Sequence, residues 1–550
     1  MENEQYARLM SIESVDNLSS DELLEIIGEL IDYSDDLGRI EGTDRAYEWC
    51  DKLGARNPSP AHIALLEYFR ANLWMTRGHI KEKEWYNTNS RTHASQENTA
   101  EPPTIDDGNP WGWEQPERQK AIVCLRRCIN APGFKEIDDF RRCQIYTNLA
   151  NQLNTAGRPV DAIEYWDRAL SEHEMFGMAL GNKGYGLLTY AKAMYDQSHR
   201  AIFLKLAYDL LNTSLSDKAY YESMGYHPAM DFFKGQIQWI KRVVQPKYLA
   251  EPIKFGNFSM GSSKTEISYR QWCLNNKLFL NPLNDVTNDS VANHDILVLP
   301  SYITARENPP SYLGFFNQIK QEFSSARWLL YEGIHPKGTH FSDKGVFLYD
   351  TLDYSSYSLA AEKIKIAYRV IYSLFDKIGY FLNDYMQLRI KKVYFRSVWY
   401  EKGDTNSRVI SSKFLQSKNW PFRGLFWLSK DLYDDKFATE MEPDAKALSE
   451  IRNHLEHKYL KVHEILAPKH TSDFSEEDNW IDRLWEDQLA YSISRQDFEN
   501  KTLRLLKLAR AALIYLCLGM RSEEQFRQKE EEPTGILPVT LGLYKDDRKR

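Results

Sequence analysis

The chain has 550 residues, a formal net charge of −8 and 42% hydrophobic, 13% aromatic and 27% charged residues. This length exceeds a single hydrophobic core, and the composition excludes a disordered or fibrous protein. The negative charge means that a polyanion would need a local basic patch to be held. The first residues, MENEQYARLM, have no apolar core, and the longest apolar run, Ala511 to Leu518, is bracketed by Arg510 and Arg521. A cytosolic protein with no membrane segment is expected. Six cysteines, at positions 50, 124, 128, 143, 273 and 517, form neither a C-x-x-C pair nor a zinc-spaced Cys/His cluster. They read as reduced thiols, and neither a metal nor a cofactor is expected.

In chain order, Asp21 is placed to cap a first helix, DELLEIIGELIDYSDDL, and AHIALLEYFRANLWM follows as a second helical pattern. Residues 80 to 117 are polar and rich in Pro and Gly, which predicts a loop insertion carrying two exposed tryptophans, Trp111 and Trp113. It serves either as a variable surface excursion or as a recognition loop. From 146 to 170, Leu149, Ala150, Leu153, Gly157, Ala162, Trp166 and Ala169 fall at the spacings of a tetratricopeptide hairpin. Small Ala150 and Ala162 allow two helices to approach, Gly157 supplies the turn, and Trp166 fills the space against the next hairpin. Adding the 34-residue period leads to Gly184 and Leu187, a divergent second copy.

Residues 246 to 308 lose helical periodicity and read as a packed connector. Asn284, Asp285, Asn288 and Asp289 lack the order of a calcium loop and predict turns. From Ala361 to Met386, apolar residues at 364, 367, 371, 374, 378, 381 and 385 predict a long amphipathic helix. Helices are also expected at 422 to 435, from Asp444 to Leu466 with a stripe of Leu448, Ile451, Leu455, Val462 and Ile465, and at 497 to 520. Four helices with short connections predict an up-and-down bundle. The chain is therefore expected to be all-α, with a repeat region at 1–245, a connector at 246–308, a bundle at 309–522 and a tail at 523–550.

The chemistry is expected on the third bundle helix, in Arg452-Asn453-His454-Leu455-Glu456-His457-Lys458-Tyr459. Metal-free RNA cleavage needs a base or acid near neutrality, which histidine supplies, and a fixed cation for the charge building on the phosphoryl oxygens. His457 would assist attack of the ribose 2′-hydroxyl or protonate the leaving 5′-oxygen, Arg452 would stabilise the transition state, and Asn453 would orient the phosphate or the imidazole. Arg452 and His457 stand about 140° apart around the helix axis, so two helices across a two-fold axis would close the site better than one. The run from Arg389 to Tyr400 alternates cations with aromatic faces. Lys391, Lys392 and Arg396 there are either an RNA-holding strip or the charged edge of a core segment.

Arg452-Asn453-x-x-x-His457 inside a helical bundle resembles the R-x4-6-H motif of the HEPN superfamily of nucleases, in particular bacterial proteins that join tetratricopeptide-like repeats to a carboxy-terminal HEPN domain. The resemblance implies a metal-independent endoribonuclease, catalysis by the arginine and histidine, a homodimeric cleft, and a role in toxin action or anti-phage defence. It also implies that the repeat half meets a protein trigger or regulator. Tyr459 matches the H-x-Y extension whose tyrosine is nucleotidylated in HEPN toxins. A non-catalytic RNA-binding or scaffold protein is the competing expectation. Spacing alone is a weak signal, since Arg168-Ala-Leu-Ser-Glu-His173 fits it inside the repeat hairpin; the Asn after Arg452 and the Tyr after His457 set the two apart.

Overall fold

The computed structural model describes residues 2–93, 108–221, 227–305, 309–405, 409–433, 445–464, 489–530 and 537–549. The chain is overwhelmingly helical, and among the described residues the one sheet has two short strands.

The amino-terminal half is a series of helical hairpins. Helix α1 (Glu2–Met10) packs on α2 (Ser20–Leu37), which pairs with α3 (Ile40–Gly54). Ser19, not Asp21, caps α2: its hydroxyl accepts from the Glu22 backbone N–H while the Glu22 carboxylate accepts from the Ser19 N–H. Asp21 instead faces His62 at 2.9 Å. Helix α4 (Pro60–His93) pairs with α5 (Pro116–Asn130), α6 (Asp139–Thr155) with α7 (Pro159–Glu172), and α8 (Gly177–Ala193) with α9 (Gln197–Ser214). The small residues act as expected. Ala150, Ala162 and Leu187 are buried, and a Cβ on Gly186 would lie 2.3 Å from the Trp166 ring, so the tryptophan of one hairpin seats on the glycine of the next.

The expected insertion begins later than residue 80, because α4 continues to His93. Residues 94–107 lie outside the described residues. From Gly108 onward the segment turns back onto the bundle, and the two tryptophans part company. Trp111 is exposed and holds the Lys418 ammonium over its ring, whereas Trp113 is buried against Trp399, Phe414 and Phe426. What Trp113 meets is its own chain, about three hundred residues on.

Helix α10 (Ala229–Val243) closes the amino-terminal half, and the connector contains α11 (Pro246–Ala250), α12 (Lys264–Asn275) and α13 (Leu283–Val286). Its Asn and Asp residues make turns and buttresses. The Asn284 amide bonds the backbone of Phe279 and Leu274, and Asp285 accepts from Arg510 and from the Tyr190 hydroxyl.

The bundle is built from α14 (Ser311–Ile334), α15 (Leu359–Tyr385), a short α16 (Ser412–Leu415), α17 (Trp420–Tyr433), α18 (Ala445–His457) and the long α19 (Arg495–Glu530). All seven predicted stripe positions of α15 are buried. Helix α19 overruns its expected end and takes up the start of the expected tail. Glu523 and Glu524 are buried there, accepting from the Ser417 and Tyr385 hydroxyls respectively. One apolar core runs without a break from Ala64 in α4 to Met520 in α19.

The seam between repeats and bundle is polar as well as apolar. Asp431 on α17 is fully buried and accepts from Arg126 at 3.1 and 2.9 Å and from Arg158. Asp161 receives the Tyr515 hydroxyl at 2.8 Å. Burial opposes its ionisation, but Arg158 more than offsets this and holds its pKa down to about 2. Gly157, at φ 94°, lies against Gly424 of α17: a Cβ on Gly424 would stand 1.8 Å from the Gly157 carbonyl oxygen. Glycine at both positions lets two backbones touch.

Candidate functional site

Helix α18 lies across α15 and α17, anchored by Leu448, Ile451 and Leu455, all buried. Two donors from α15 fix it: the Tyr368 hydroxyl bonds the Leu448 carbonyl and Arg369 bonds the Leu455 carbonyl. This leaves Asn453, Glu456 and His457 exposed and Arg452 half-buried. The Arg452 guanidinium stands 5.8 Å above the Tyr372 ring and donates to the Asn453 side-chain oxygen at 3.2 Å. Asn453 thus lies against the arginine as its hydrogen-bond partner. His457 is the last residue of the helix, and among the described residues its side chain makes no hydrogen bond or ion pair.

The helix does not run to Leu466. After Lys458 the chain changes to β1 (Tyr459–His463), which pairs in parallel with β2 (Ala490–Ser494), Val462 facing Ile493 in register. The reason lies in distant partners. Lys461 and His463 are buried, the first paired with Asp353 at 2.8 Å and the second bonded through Nδ1 to the Asp353 carbonyl. Ser356 donates its N–H to the Val462 carbonyl at 2.7 Å, so the loop before α15 lies along the strand. Tyr459 consequently does not share a helical face with Arg452. Its hydroxyl lies 2.6 Å from that of Tyr357, and Lys461 approaches its ring. Asp444 at the expected start of the helix, and Ile465 and Leu466 at its expected end, lie outside the described residues.

His454 points away from the exposed group, with Nδ1 2.8 Å from the Glu450 carbonyl and its ring beside Tyr491 of β2. Among the described residues no group of three or more His, Cys, Asp or Glu side chains is placed to hold a metal. The six cysteines are buried and unpaired, and burial pushes the Cys124 thiol up to about 12. The second match to the spacing, at Arg168 and His173, is repeat structure: Arg168 pairs with Glu164, and His173 stacks on Tyr220.

Lys391, Lys392 and Arg396 are exposed, with Tyr394 between them and Arg396 over its ring. The alternate residues Val393, Phe395 and Trp399 are buried core, so the run is the charged edge of a core segment. The cations line an open groove with Lys402 and Thr405. Ile390 is fixed by Asn383, so by the helical rise along α15 this end of the groove lies roughly 16 Å from Tyr372 and the arginine above it.

Three site-side residues escaped the sequence reading: Asp353, Arg369 and Tyr357. Each acts on the 452–463 segment from about 85 to 110 positions away, and nothing in local spacing marks them.

No curated protein and no solved structure matches the chain. Residues 303–523, which hold α14 to α18, most of α19 and with them Arg452, Asn453 and His457, match the family model described as LA2681-like HEPN, and this part of the chain is therefore HEPN-like.

Proposed function

We propose that the bundle is a metal-independent endoribonuclease acting as a homodimer, with Arg452, Asn453 and His457 as its working residues. The observation that carries this reading is the exposed end of α18, where Arg452 is held by Tyr372 and Asn453 while His457 is exposed and has no side-chain partner among the described residues, inside a HEPN-like segment. His457 takes the 2′-hydroxyl proton as its oxygen attacks phosphorus, or gives a proton to the departing 5′-oxygen, and Arg452 neutralises the phosphoryl oxygens. The P–O5′ bond breaks, leaving a 2′,3′-cyclic phosphate and a 5′-hydroxyl. The groove at Lys391, Lys392 and Arg396 holds the flanking strand through phosphate contacts and stacking on Tyr394.

The dimer is supported by the loop over β1. In the segment before α15, Phe347, Tyr349 and Tyr354 are 97%, 95% and 75% exposed, a surface suited to a second copy. The repeat half serves as the regulatory part, in keeping with a role in cellular defence or growth arrest. The test is cleavage of end-labelled RNA in EDTA by full-length protein, Arg452→Ala and His457→Ala, with light scattering on the same samples. Wild-type cleavage with both variants silent supports the reading. Equal cleavage by all three refutes the site, RNA binding without cleavage in all three favours a scaffold, and a strict monomer refutes the shared cleft.

A further inference from the structure

One stripe of α15 lays out the whole candidate site. Arg369, Tyr372, Asp376, Gly379 and Asn383 recur at alternating spacings of three and four residues, which sets all five within a sector about 80° wide. Each meets a different part of the site. Arg369 donates to the Leu455 carbonyl in the last turn of α18, and Tyr372 lies beneath the Arg452 guanidinium. Asp376 accepts from the Phe395 N–H at 3.1 Å, and Asn383 bonds the Ile390 backbone through both its nitrogen and its oxygen. At Gly379 a Cβ would stand 3.1 Å from the Phe395 nitrogen, so the basic run lies directly on the helix there.

The run therefore passes along α15 in the opposite direction, with Arg396 near the level of Asp376 and Lys391 and Lys392 nearer that of Asn383. Arg452 stands between cations on both sides. Measured along the helix axis from Tyr372, the level of Asp376 is about 6 Å away in one direction and Arg369 about 4.5 Å away in the other.

Arg369 is not used up by α18. Its Nη2 serves the Leu455 carbonyl, while its Nε and Nη1 make no hydrogen bond among the described residues. The Glu456 carboxylate approaches it only to 3.8 Å, and the side chain is 42% exposed. Asp376, the acid on the same stripe, gives an oxygen to the Phe395 backbone. Anchoring a carbonyl needs one neutral donor. A half-exposed guanidinium, one helical turn from the ring that carries a second guanidinium, offers in addition a fork for a phosphate.

We propose, on the ribonuclease reading of α18, that an unpaired RNA strand crosses this face of α15 with its scissile phosphate at Arg452 and His457. One flank lies on Arg396, Tyr394 and Lys392, and the other is held by Arg369. The substrate is then the interior of a strand and not its end, and Arg369 is a substrate-binding residue. From Arg369 to Asn383 the stripe is about 21 Å long. At about 3.4 Å per stacked nucleotide, it spans at most about six nucleotides. Stacking on Tyr394, which is half-exposed, requires bases free of a partner strand.

The test uses full-length protein and 2′-O-methyl strands that carry one free 2′-hydroxyl. The single hydroxyl fixes the cleaved bond while the 5′ and 3′ flanks are shortened in turn. Wild type loses about tenfold or more in kcat/KM when either flank is removed, as a charge-assisted contact on each side requires. Arg369→Gln keeps an amide donor for the Leu455 carbonyl and removes the charge. On the long strand its KM rises by about tenfold, the loss falling on KM and not on kcat. On the strand that lacks the flank held by Arg369, variant and wild type are equal, and Arg369→Lys recovers most of the long-strand affinity. A residue that only anchors α18 would lower kcat and melting temperature whatever the flank length. That outcome overturns the proposal, as does a wild type indifferent to one of its flanks. Wild type that cleaves none of the strands overturns the ribonuclease reading, and the proposal with it.

Discussion

Replacing Asp431 with asparagine keeps shape and removes the one carboxylate that α17 sends into the repeat half. In the native protein its two oxygens take three hydrogen bonds, two from Arg126 and one from Arg158, with all three side chains at most 3% exposed. The amide in the variant offers one acceptor and turns an NH₂ donor toward a guanidinium. Breaking a buried ion pair by removing one partner costs about 3–5 kcal/mol. Arg158 retains Asp161 at 2.9 Å, which places the expected loss near the lower end, about 3 kcal/mol. Urea unfolding followed by tryptophan fluorescence and by far-ultraviolet circular dichroism measures it, because Trp113, Trp399 and Trp427 lie at or beside the seam. The fluorescence transition moves to lower urea and separates from the helical one. As a control, Asp51→Asn removes a half-exposed partner of Arg70 and should change stability by less than about 1 kcal/mol. If Asp431→Asn is no worse than that control, the seam is not held by its buried charges and the reasoning fails.

Gly424→Ala would drive a methyl group into the Gly157 carbonyl, a backbone obstacle that cannot rotate away, and should destabilise by about 3 kcal/mol or more; Gly235→Ala, with open space around it, serves as the tolerated comparison in the same melts. The Asp161 carboxyl, held at about 2, lies below the ordinary value of 3.8, so its contribution is complete above about pH 4 and is lost as pH falls toward 2. That contribution is of order 2 kcal/mol, and Asp161→Asn should flatten the acid limb of a stability-against-pH curve, an unchanged slope counting against it. Tyr357→Phe should remove the hydroxyl that faces that of Tyr459 without unfolding β1; if Tyr459 is a nucleotidylation target, co-expression with a nucleotidyltransferase gives more modified protein by intact mass in this variant than in wild type, and equal or zero modification in both retires that role.

Much of the fold was legible because its signals are local. The stripe of α15 from Ile364 to Tyr385 repeats at the helical period and is buried throughout, and Gly157, Ala162 and Trp166 announce the hairpin they form. The sequence misled where a local pattern had two solutions. Val462 continues the helical spacing from Leu455 yet also fits a strand, and the choice was made by Asp353 and by β2, both remote. Trp113 sits in polar, Pro/Gly-rich sequence that reads as exposed, and only Trp399, Phe414 and Phe426 bury it. The candidate residues Arg452, Asn453 and His457 were named from their spacing, and the fold sets them at the exposed end of one helix. What supports this segment was not legible, since Arg369, Tyr357 and Asp353 reach it through tertiary contacts.

The contact of Gly157 with Gly424 bears on how the molecule can be handled and how it can change state. A fragment beginning near residue 303 would leave Asp431 without Arg126 and Arg158, Lys430 without Glu114 and Gln119, and the Trp427 indole without the Trp113 carbonyl. The bundle is thus no portable cassette, and measurements on the isolated part would describe a different, wounded object. Nor do backbones in direct contact leave room for the two halves to swing apart as on a hinge. A disturbance arriving at α6 or α7 has a shorter route: it displaces α17 itself, and α17 is one of the two helices on which α18 rests.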